Sequence, residues 1–175
     1  MPNQLLESVE YKIDKTRRGT WRRYDYIDGT SYREFTSHAS MFGIPLLNYT
    51  YGRNPETGRL RVARGFIAVG RLACGIVAIG HASFGLIAVG QLAVGVAFGL
   101  GQLAVGVVAV AQFAIAAGFG LGQFAAGYVA IGQFVLAGYG LGQFGFGKFL
   151  WTIHRTDAQA VAFFKALPLI GSALP

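Results

Sequence analysis

The side chains that most often perform chemistry in proteins are few and widely spaced in this chain. The three histidines, His38, His81 and His154, have no companion ligand at the spacing of a metal site such as HExxH or CxxC. Cys74 is the only cysteine, and it takes a position that other repeats fill with Val or Ile, so we expect a small core residue. The Gly-rich FGLGQ segments lack the GxGxxG pattern of a dinucleotide loop. We therefore expect a protein that is not an enzyme, binds no small-molecule substrate and holds no metal ion or other cofactor.

The best binding candidate is a basic and aromatic run near the start of the sequence. Basic side chains beside aromatic rings suit anionic lipid headgroups, or the phosphates and bases of nucleic acids. Acidic residues nearby and the apolar remainder of the chain favour anionic lipid over nucleic acid, and an ordinary solvated face is the other interpretation. The run consists of Lys12, Lys15, Arg17, Arg18, Trp21, Arg22 and Arg23.

Charge divides the 175 residues into three parts, which we take as domain boundaries. Residues 1–65 carry eleven Lys or Arg and seven Asp or Glu, whereas residues 66–147 carry one charged side chain, Arg71. Residues 148–175 carry three basic side chains and one acidic one. Charged residues make up 13% of the chain, against about 25% in an average soluble domain. We expect a polar basic cap, an uncharged repeat region and a short C-terminal segment.

The uncharged segment is built from five-residue units. From Phe66 they read FIAVG, RLACG, IVAIG, HASFG, LIAVG and QLAVG, and two later units have six residues. Gly closes most units, the third position is small, and the second and fourth are mostly Leu, Ile, Val or Phe. A longer period lies above the units, because the blocks VAFGLGQ, AGFGLGQ and AGYGLGQ begin at Val96, Ala117 and Ala137. This nested period predicts an all-β fold, a β-solenoid in which four five-residue sides form a coil of about 20–21 residues.

A bundle of membrane helices is the competing interpretation, because hydropathy alone would give two or three spans. A five-residue step turns an α-helix by about 140°, which would scatter the glycines around its axis. Each Gly also costs an α-helix about 1 kcal/mol relative to Ala. In a solenoid the same glycines fit left-handed or crowded corners, and the apolar–small–apolar alternation has the period of a strand. These arguments favour the solenoid.

The alternation permits two registers. If positions two and four point inward, Leu, Ile, Val and Phe fill the core, and the wall is Gln, Ala and Gly. In the opposite register the core is alanine and the wall is apolar. We prefer the first register because it fills the core with more volume. Gln occupies the first position of most alternate units, where an assembly wall with amide ladders can form. These residues are Gln91, Gln102, Gln112, Gln123, Gln133 and Gln143.

The N-terminal segment predicts a cap for the first coil. Residues 22–37 read as a β-hairpin with a type I′ turn at Asp28–Gly29. Residues 44–64 read as a second hairpin whose last strand runs into the repeat. Residues 3–13 fit a short helix or a strand equally well.

The C-terminal segment predicts a short capping helix. Thr156 or Asp157 can cap its start, and Pro168 stops it near Leu167. Phe164 lies on the face that would cover the last coil. The same helix would also suit a membrane surface or a partner protein.

The stretch MFGIPLLNYTYGRNPETGRLRVARGFIAVG (Met41–Gly70), with the repeats after it, resembles a set of uncharacterised bacterial proteins rich in Gly, Ala and Val. They share an FGxPL…PETGRxRVARG lead-in. The resemblance covers about residues 41–147 and implies no catalytic residues. In architecture only, the repeat is similar to pentapeptide-repeat solenoids and to the polymerising bactofilins. It lacks the A(D/N)Lxx consensus and the usual charged exterior.

Either register leaves the repeat without the charged exterior of a free soluble domain. We therefore expect a structural protein that self-assembles through uncharged walls and solenoid ends into a filament or other homo-oligomer, in association with a membrane. Its partner is then another copy of itself, with anionic lipid as a second partner. The alternative is a membrane-embedded subunit of a larger complex with a lipid-facing repeat. An ice-binding-like surface ranks lower because residues 66–147 contain no Thr.

The first residues lack the basic and then apolar segments of a signal peptide. A lone cysteine fits a reducing compartment. We expect the protein in the cytoplasm or at the cytoplasmic face of a membrane.

Overall fold

The described part of the chain is predominantly β-structure with one short helix in its C-terminal region, which confirms an all-β fold with a C-terminal helix. The computed structural model describes residues 9–168. Its elements are β1 (Lys12–Lys15), β2 (Gly19–Asp25), β3 (Ser31–Ser37), β4 (Ser40–Met41), β5 (Ile44–Pro45), β6 (Leu47–Tyr51), β7 (Val62–Gly70), β8 (Leu72–Trp151) and α1 (Ala158–Lys165). One sheet has the order β1-β2-β3-β6-β7-β8, and β4 pairs with β5. The chain divides into two compact units, one ending at Leu86 and one beginning at Ile87.

Strands β2 and β3 form the predicted antiparallel hairpin, and β1 adds to its edge. The connection differs from the expected two-residue turn. Residues 26–30 form a longer loop in which the Tyr26 amide donates to the Thr30 carbonyl, and the Asp28 carboxylate accepts from the Thr30 amide. Gly29 has a φ of +81°, but Asp28 is not among the residues with positive φ, which a type I′ turn requires at both central positions. The type I′ assignment is therefore wrong.

The predicted second hairpin is also wrong, because β6 and β7 pair in parallel. Leu47 lies opposite Ile67, twenty residues later. Residues 52–61 form an excursion that brings the chain back in its original direction. The Asn54 side chain accepts from the Glu56 and Thr57 amides and holds the turn of this excursion. Of the predicted antiparallel pairing, only an isolated bridge between residues 53 and 60 is present.

Strands β7 and β8 pair in parallel at an interval of ten residues, with Val62 opposite Leu72. The strand does not run straight, because a Cβ built on Gly85 would collide with the carbonyl oxygen of Gly75, ten residues earlier. Ten extended residues span about 33 Å, so the chain must turn back within that length. The predicted four-sided coil is therefore wrong here, since two five-residue units separate one pairing position from the next.

The second compact unit, which begins at Ile87, repeats this close approach. A Cβ on Gly132 would meet the carbonyl oxygen of Gly122, and one on Gly147 would meet that of Ala137, both ten residues earlier. Where a six-residue unit intervenes, the interval becomes eleven residues, as between Gly122 and Ala111. None of the repeat glycines has positive φ. Glycines such as Gly85, Gly122, Gly132 and Gly147 are required because neighbouring backbone leaves no space for a side chain, and not because they turn the chain through the left-handed region.

Alanine fills the interior of the repeat. The third position of the units is buried at Ala63, Ala68, Ala73, Ala78, Ala88, Ala93, Ala104, Ala109, Ala114, Ala125 and Ala130. Many Leu, Ile, Val and Phe side chains of the second and fourth positions lie outside; Ile79 remains 41% exposed and Leu103 remains 38% exposed. Cys74, at a fourth position, is exposed and is not the predicted core residue. The preferred register is thus wrong, because a chain that returns beside itself every ten residues encloses room for methyl groups and little more.

The C-terminal helix α1 is shorter than expected and ends at Lys165. Asp157 occupies the N-cap position, but its side chain does not cap the helix. Its carboxylate accepts instead from the Leu150 amide at 2.8 Å and pairs with Arg155 at 2.9 Å. Phe164 is fully buried, as expected for the covering face. The predicted segment 3–13 lies partly outside the described residues; Lys12 and Ile13 belong to β1.

Candidate functional site

The outer surface of the repeat is apolar. From Leu72 to Gly147 no residue carries a formal charge. The exposed large apolar side chains of the first unit's repeat are Ile67, Ile76, Ile79, Phe84 and Leu86. Those of the second unit's repeat are Ile87, Leu92, Val96, Leu100, Leu103, Val107, Phe113, Ile115, Leu121, Tyr128, Leu136, Phe144 and Phe146. We call these side chains the apolar wall of each unit. A soluble domain does not normally leave so much apolar surface open, which marks the wall as a contact surface.

The predicted glutamines are exposed and follow the ten- or eleven-residue interval in the second unit. This interval equals the spacing at which the backbone returns beside itself, so the glutamines fall in a single column and not in the two columns that a four-sided coil would give. Gln123, Gln133 and Gln143 line one shallow groove of about 470 Å³, with Ile131 and Leu141 beside them. Among the described residues these side chains make no hydrogen bond with one another, so the amides stay open to a partner.

A row of phenylalanines lies next to the glutamine column, because each ring directly follows a Gln in sequence. The ring centroids of Phe113 and Phe124 are 5.5 Å apart, and those of Phe124 and Phe134 are 5.2 Å apart with planes only 10° from parallel. The row then continues to Phe146, while Phe144 turns toward the imidazole of His154. The stacked rings fix the outer surface of this face in the second unit.

The basic run does not form one patch, because the strand alternation divides it between two faces of the sheet. Arg23 and Lys12 are register partners, and Arg22 points to the opposite face. Acidic neighbours neutralise part of the charge: Lys12 pairs with Asp25 at 3.5 Å, and Arg23 pairs with the carboxylate of Asp14 at 3.4 Å. Each of these pairs is solvent-exposed and contributes little to stability.

Lys15, Arg17 and Arg18 lie at or beside the turn between β1 and β2. The guanidinium of Arg22 lies over the ring of Tyr11 at 5.2 Å, on the face opposite Arg23. The residues of the predicted basic run are adjacent in sequence, but the sheet distributes them over its two faces and the turn between β1 and β2.

The outer face of the N-terminal sheet carries an aromatic row. Trp21 contacts Phe35 at 5.0 Å and Tyr49 at 6.1 Å between ring centroids. Tyr49 is paired in register with Val69, and Val69 with Ile79 of the first unit's apolar wall. The row thus joins the charged edge of this unit to its apolar wall on one continuous face.

The inner face of the same sheet holds a buried carboxylate that the sequence did not single out. Glu34 is 4% exposed and accepts from the Tyr32 hydroxyl at 3.0 Å. Its other oxygen pairs with Nε of Arg61 at 3.1 Å. Burial, and next the charge of Glu34, raise the pKa of Tyr32, so its hydroxyl remains a proton donor. The alternating positions 32 and 34 pointed to one face, but their burial depends on the excursion of residues 52–61.

The two ends of the repeat carry different closures. In the first unit the sheet ends at β1, whose four residues are all exposed and include Lys12, Asp14 and Lys15. Charges on an edge strand oppose the addition of another strand. In the second unit the turn after Trp151 is held by Thr152, whose amide donates to the Arg155 carbonyl.

No helix in residues 9–168 is long and apolar enough to cross a membrane. Within the same range, no group of three or more His, Cys, Asp and Glu side chains is placed to hold a metal ion. Comparison with known proteins finds no matching protein family, no matching curated protein and no matching solved structure. The surfaces described above therefore carry the functional inference.

Proposed function

We propose that this chain is a non-enzymatic structural protein of a membrane, with the apolar wall of its repeat against lipid acyl chains. The inverted packing of the repeat carries the proposal: alanine is buried, and Leu, Ile, Val and Phe are exposed. Acyl chains cover such side chains at no desolvation cost and need no matched shape.

In this proposal the repeat closes into a β-solenoid with ten-residue coils. Alternate five- or six-residue repeats then form two opposite sides of the solenoid, and both sides are apolar. Val107 and Leu121 are exposed on one side, and Leu103 and Phe113 on the other. A single protein partner would cover one side, whereas lipid surrounds both. The coils satisfy each other's backbone N–H and C=O groups, which is the condition for placing strands in hydrocarbon.

Aromatic and basic side chains next to each wall support the same arrangement, because both side-chain types collect at membrane interfaces. In the first unit, Arg23 lies over the ring of Trp21 on the outer face. In the second unit, the Lys165 ammonium lies 5.9 Å from the Trp151 ring. In this proposal residues 1–65 lie at the cytoplasmic face, and their excess of basic residues supports this through the positive-inside preference.

A second candidate is self-assembly, and the glutamine column favours it. Amides without a partner in apolar surroundings are satisfied by the same column of a second copy. This assembly is lateral, through the wall. Growth by stacking of ends is disfavoured by the exposed charges of Lys12, Asp14 and Lys15 on the edge strand.

Cys74 provides the test, because it is the only cysteine and is exposed at a wall position. Membranes from cells that express the intact chain are washed with carbonate and treated with a charged, membrane-impermeant thiol reagent or with an apolar maleimide. We expect Cys74 to react with the apolar reagent alone until detergent is added. The matched control carries Cys74→Val and Arg59→Cys, which moves the thiol to an exposed position outside the wall, and should react with both reagents in opened membranes.

Equal reaction of Cys74 and the control thiol with the charged reagent in washed membranes would contradict the lipid-facing wall. Release by carbonate, with regular polymers in negative-stain electron microscopy, would favour the self-assembly candidate instead. Retention in the membrane with a protected Cys74 would support the primary proposal.

A further inference from the structure

A cavity of about 360 Å³ opens on the inner face of the first unit's sheet, apart from the apolar wall. Its lining combines polar side chains with apolar surface. The lining residues are Glu34, Thr36, Pro45, Asn48, Arg61, Val62 and Arg64. Two arginines and one carboxylate give the lining a formal charge of +1.

Two of the lining side chains are held in place by buried hydrogen bonds. Glu34 is fixed between the Tyr32 hydroxyl and Nε of Arg61. The Arg61 side chain also hydrogen-bonds the Tyr32 hydroxyl, and because a guanidinium carries five N–H donors, donors remain after these two contacts. Asn48 is almost completely buried, and its carbonyl oxygen accepts from the backbone amide of Arg64 at 3.0 Å. The backbone that carries the second arginine is thereby anchored.

The remaining donors of the cavity have no protein acceptor. Arg64 is exposed, and its guanidinium has no partner among the described residues. The hydroxyl oxygen of Thr36 accepts from the Asn48 side-chain amide at 3.1 Å, which leaves its own proton free to donate. Arg61, Arg64 and Thr36 therefore line one cavity, while Pro45 and Val62 supply apolar lining.

We propose that this cavity binds a phosphate group. Guanidinium forks match the oxygens of a phosphate and form charge-assisted hydrogen bonds with them. A lining charge of +1 suits a singly charged phosphodiester or the monoanion of inorganic phosphate. The apolar lining leaves space for an ester substituent. The source is either a lipid headgroup or a soluble phosphate. The inference does not rest on the membrane proposal, because it concerns a different face and a different chemistry.

The test is isothermal titration of the full-length chain, in a phosphate-free maltoside detergent, with inorganic phosphate and separately with glycerophosphoglycerol, the headgroup diester of phosphatidylglycerol. Arg64→Gln should weaken binding about tenfold or more, since it removes charge-assisted hydrogen bonds. Arg59→Gln removes the same charge from a nearby exposed position outside the cavity and should leave the affinity unchanged. Melting curves followed by circular dichroism confirm that both variants fold.

A third variant tests the sign of the electrostatics. Glu34→Gln frees Arg61 from its carboxylate, raises the lining charge to +2 and should tighten phosphate binding. Tighter binding of the diester than of inorganic phosphate would identify a lipid headgroup as the source, and the reverse order a soluble phosphate. Absence of binding by both probes, or equal losses in Arg64→Gln and Arg59→Gln, would overturn the proposal while leaving the Cys74 experiment unaffected.

Discussion

Gly122 lies so close to the backbone carbonyl of Ala111, eleven residues earlier, that a Cβ on the glycine would collide with the carbonyl oxygen. The same relationship recurs at ten residues between Gly132 and Gly122. In these two pairs, the glycine that closes a five- or six-residue unit marks a place where the backbone returns against itself ten or eleven residues later.

This contact makes Gly122→Ala strongly destabilising, whereas Gly118→Ala should be mild. At Gly118 the nearest atom to a new Cβ is the carbonyl oxygen of Val107 at 3.1 Å, so a small shift accommodates the methyl group. Overpacking a fixed contact costs about 1–3 kcal/mol, and we expect Gly122→Ala to reach the upper end. Thermal melting of both variants, followed by circular dichroism, checks the difference.

Both glycines belong to the second unit and both contact a carbonyl eleven residues earlier, so each variant controls for the loss of glycine in the other. Equal melting temperatures for Gly122→Ala and the wild-type chain would show that the backbone around Gly122 and Ala111 does not approach this closely.

The five-residue period, the strand character and the C-terminal helix could be predicted from sequence because they depend on local spacing. Which side chains point into the core and which point outward could not be predicted from the sequence. Strand alternation separates positions two and four from position three, but it is symmetric between inside and outside. The choice then depends on core volume, and the volume depends on the number of units in a coil. The blocks that begin at Val96, Ala117 and Ala137 lie two backbone-approach intervals apart, although their spacing alone suggests one.

The parallel pairing of β6 with β7 and the burial of Glu34 could not be predicted from the sequence for a different reason. Residues 53–58 have ordinary turn chemistry, which indicates a reversal, yet β6 and β7 run parallel because the excursion returns the chain to its first direction. Glu34 alternates with exposed Arg33 in a strand that reads as a charged surface. Its burial follows from contact with Arg61, which lies far along the chain, so no local pattern records it.

The inverted packing predicts opposite outcomes for two exchanges in the repeat. Ala109→Leu puts a branched side chain at a fully buried position, and overpacking should cost about 3 kcal/mol. Leu103→Ala truncates a wall side chain and should cost less than about 1 kcal/mol in detergent, where the wall stays covered. If Leu103 were a core residue, its truncation would cost about 2–5 kcal/mol.

Thermal melting in one detergent gives the comparison, with Gln102→Ala as a control for a change at the neighbouring exposed position. A larger loss for Leu103→Ala than for Ala109→Leu would reverse the inside and outside of the repeat, and with it the basis of the membrane proposal.

The C-terminal turn of the second unit should depend on pH through Asp157. The Leu150 amide, and next the Arg155 guanidinium, hold the pKa of this carboxyl below its ordinary value of about 3.9. A depressed pKa in the folded chain means that the carboxylate stabilises the fold above the ordinary value, and that this contribution is lost as the pH falls through the lowered one. Asp157→Asn keeps an acceptor for the Leu150 amide and removes the charge. The variant should therefore melt below the wild-type chain at pH 7, and this difference in melting temperature should shrink toward pH 3.

Asp14→Asn is the matched control, because Asp14 pairs with Arg23 at 3.4 Å on a surface where both side chains are about half exposed. Exposed pairs of this kind contribute between about 0 and 1 kcal/mol, so its melting temperature should stay near that of the wild-type chain at both pH values. A gap for Asp157→Asn that persists unchanged at pH 3 would show that the substitution acts through packing of the turn and not through the charge. Equal melting temperatures of Asp157→Asn and the wild-type chain at pH 7 would show that the carboxylate does not stabilise the turn between Leu150 and α1.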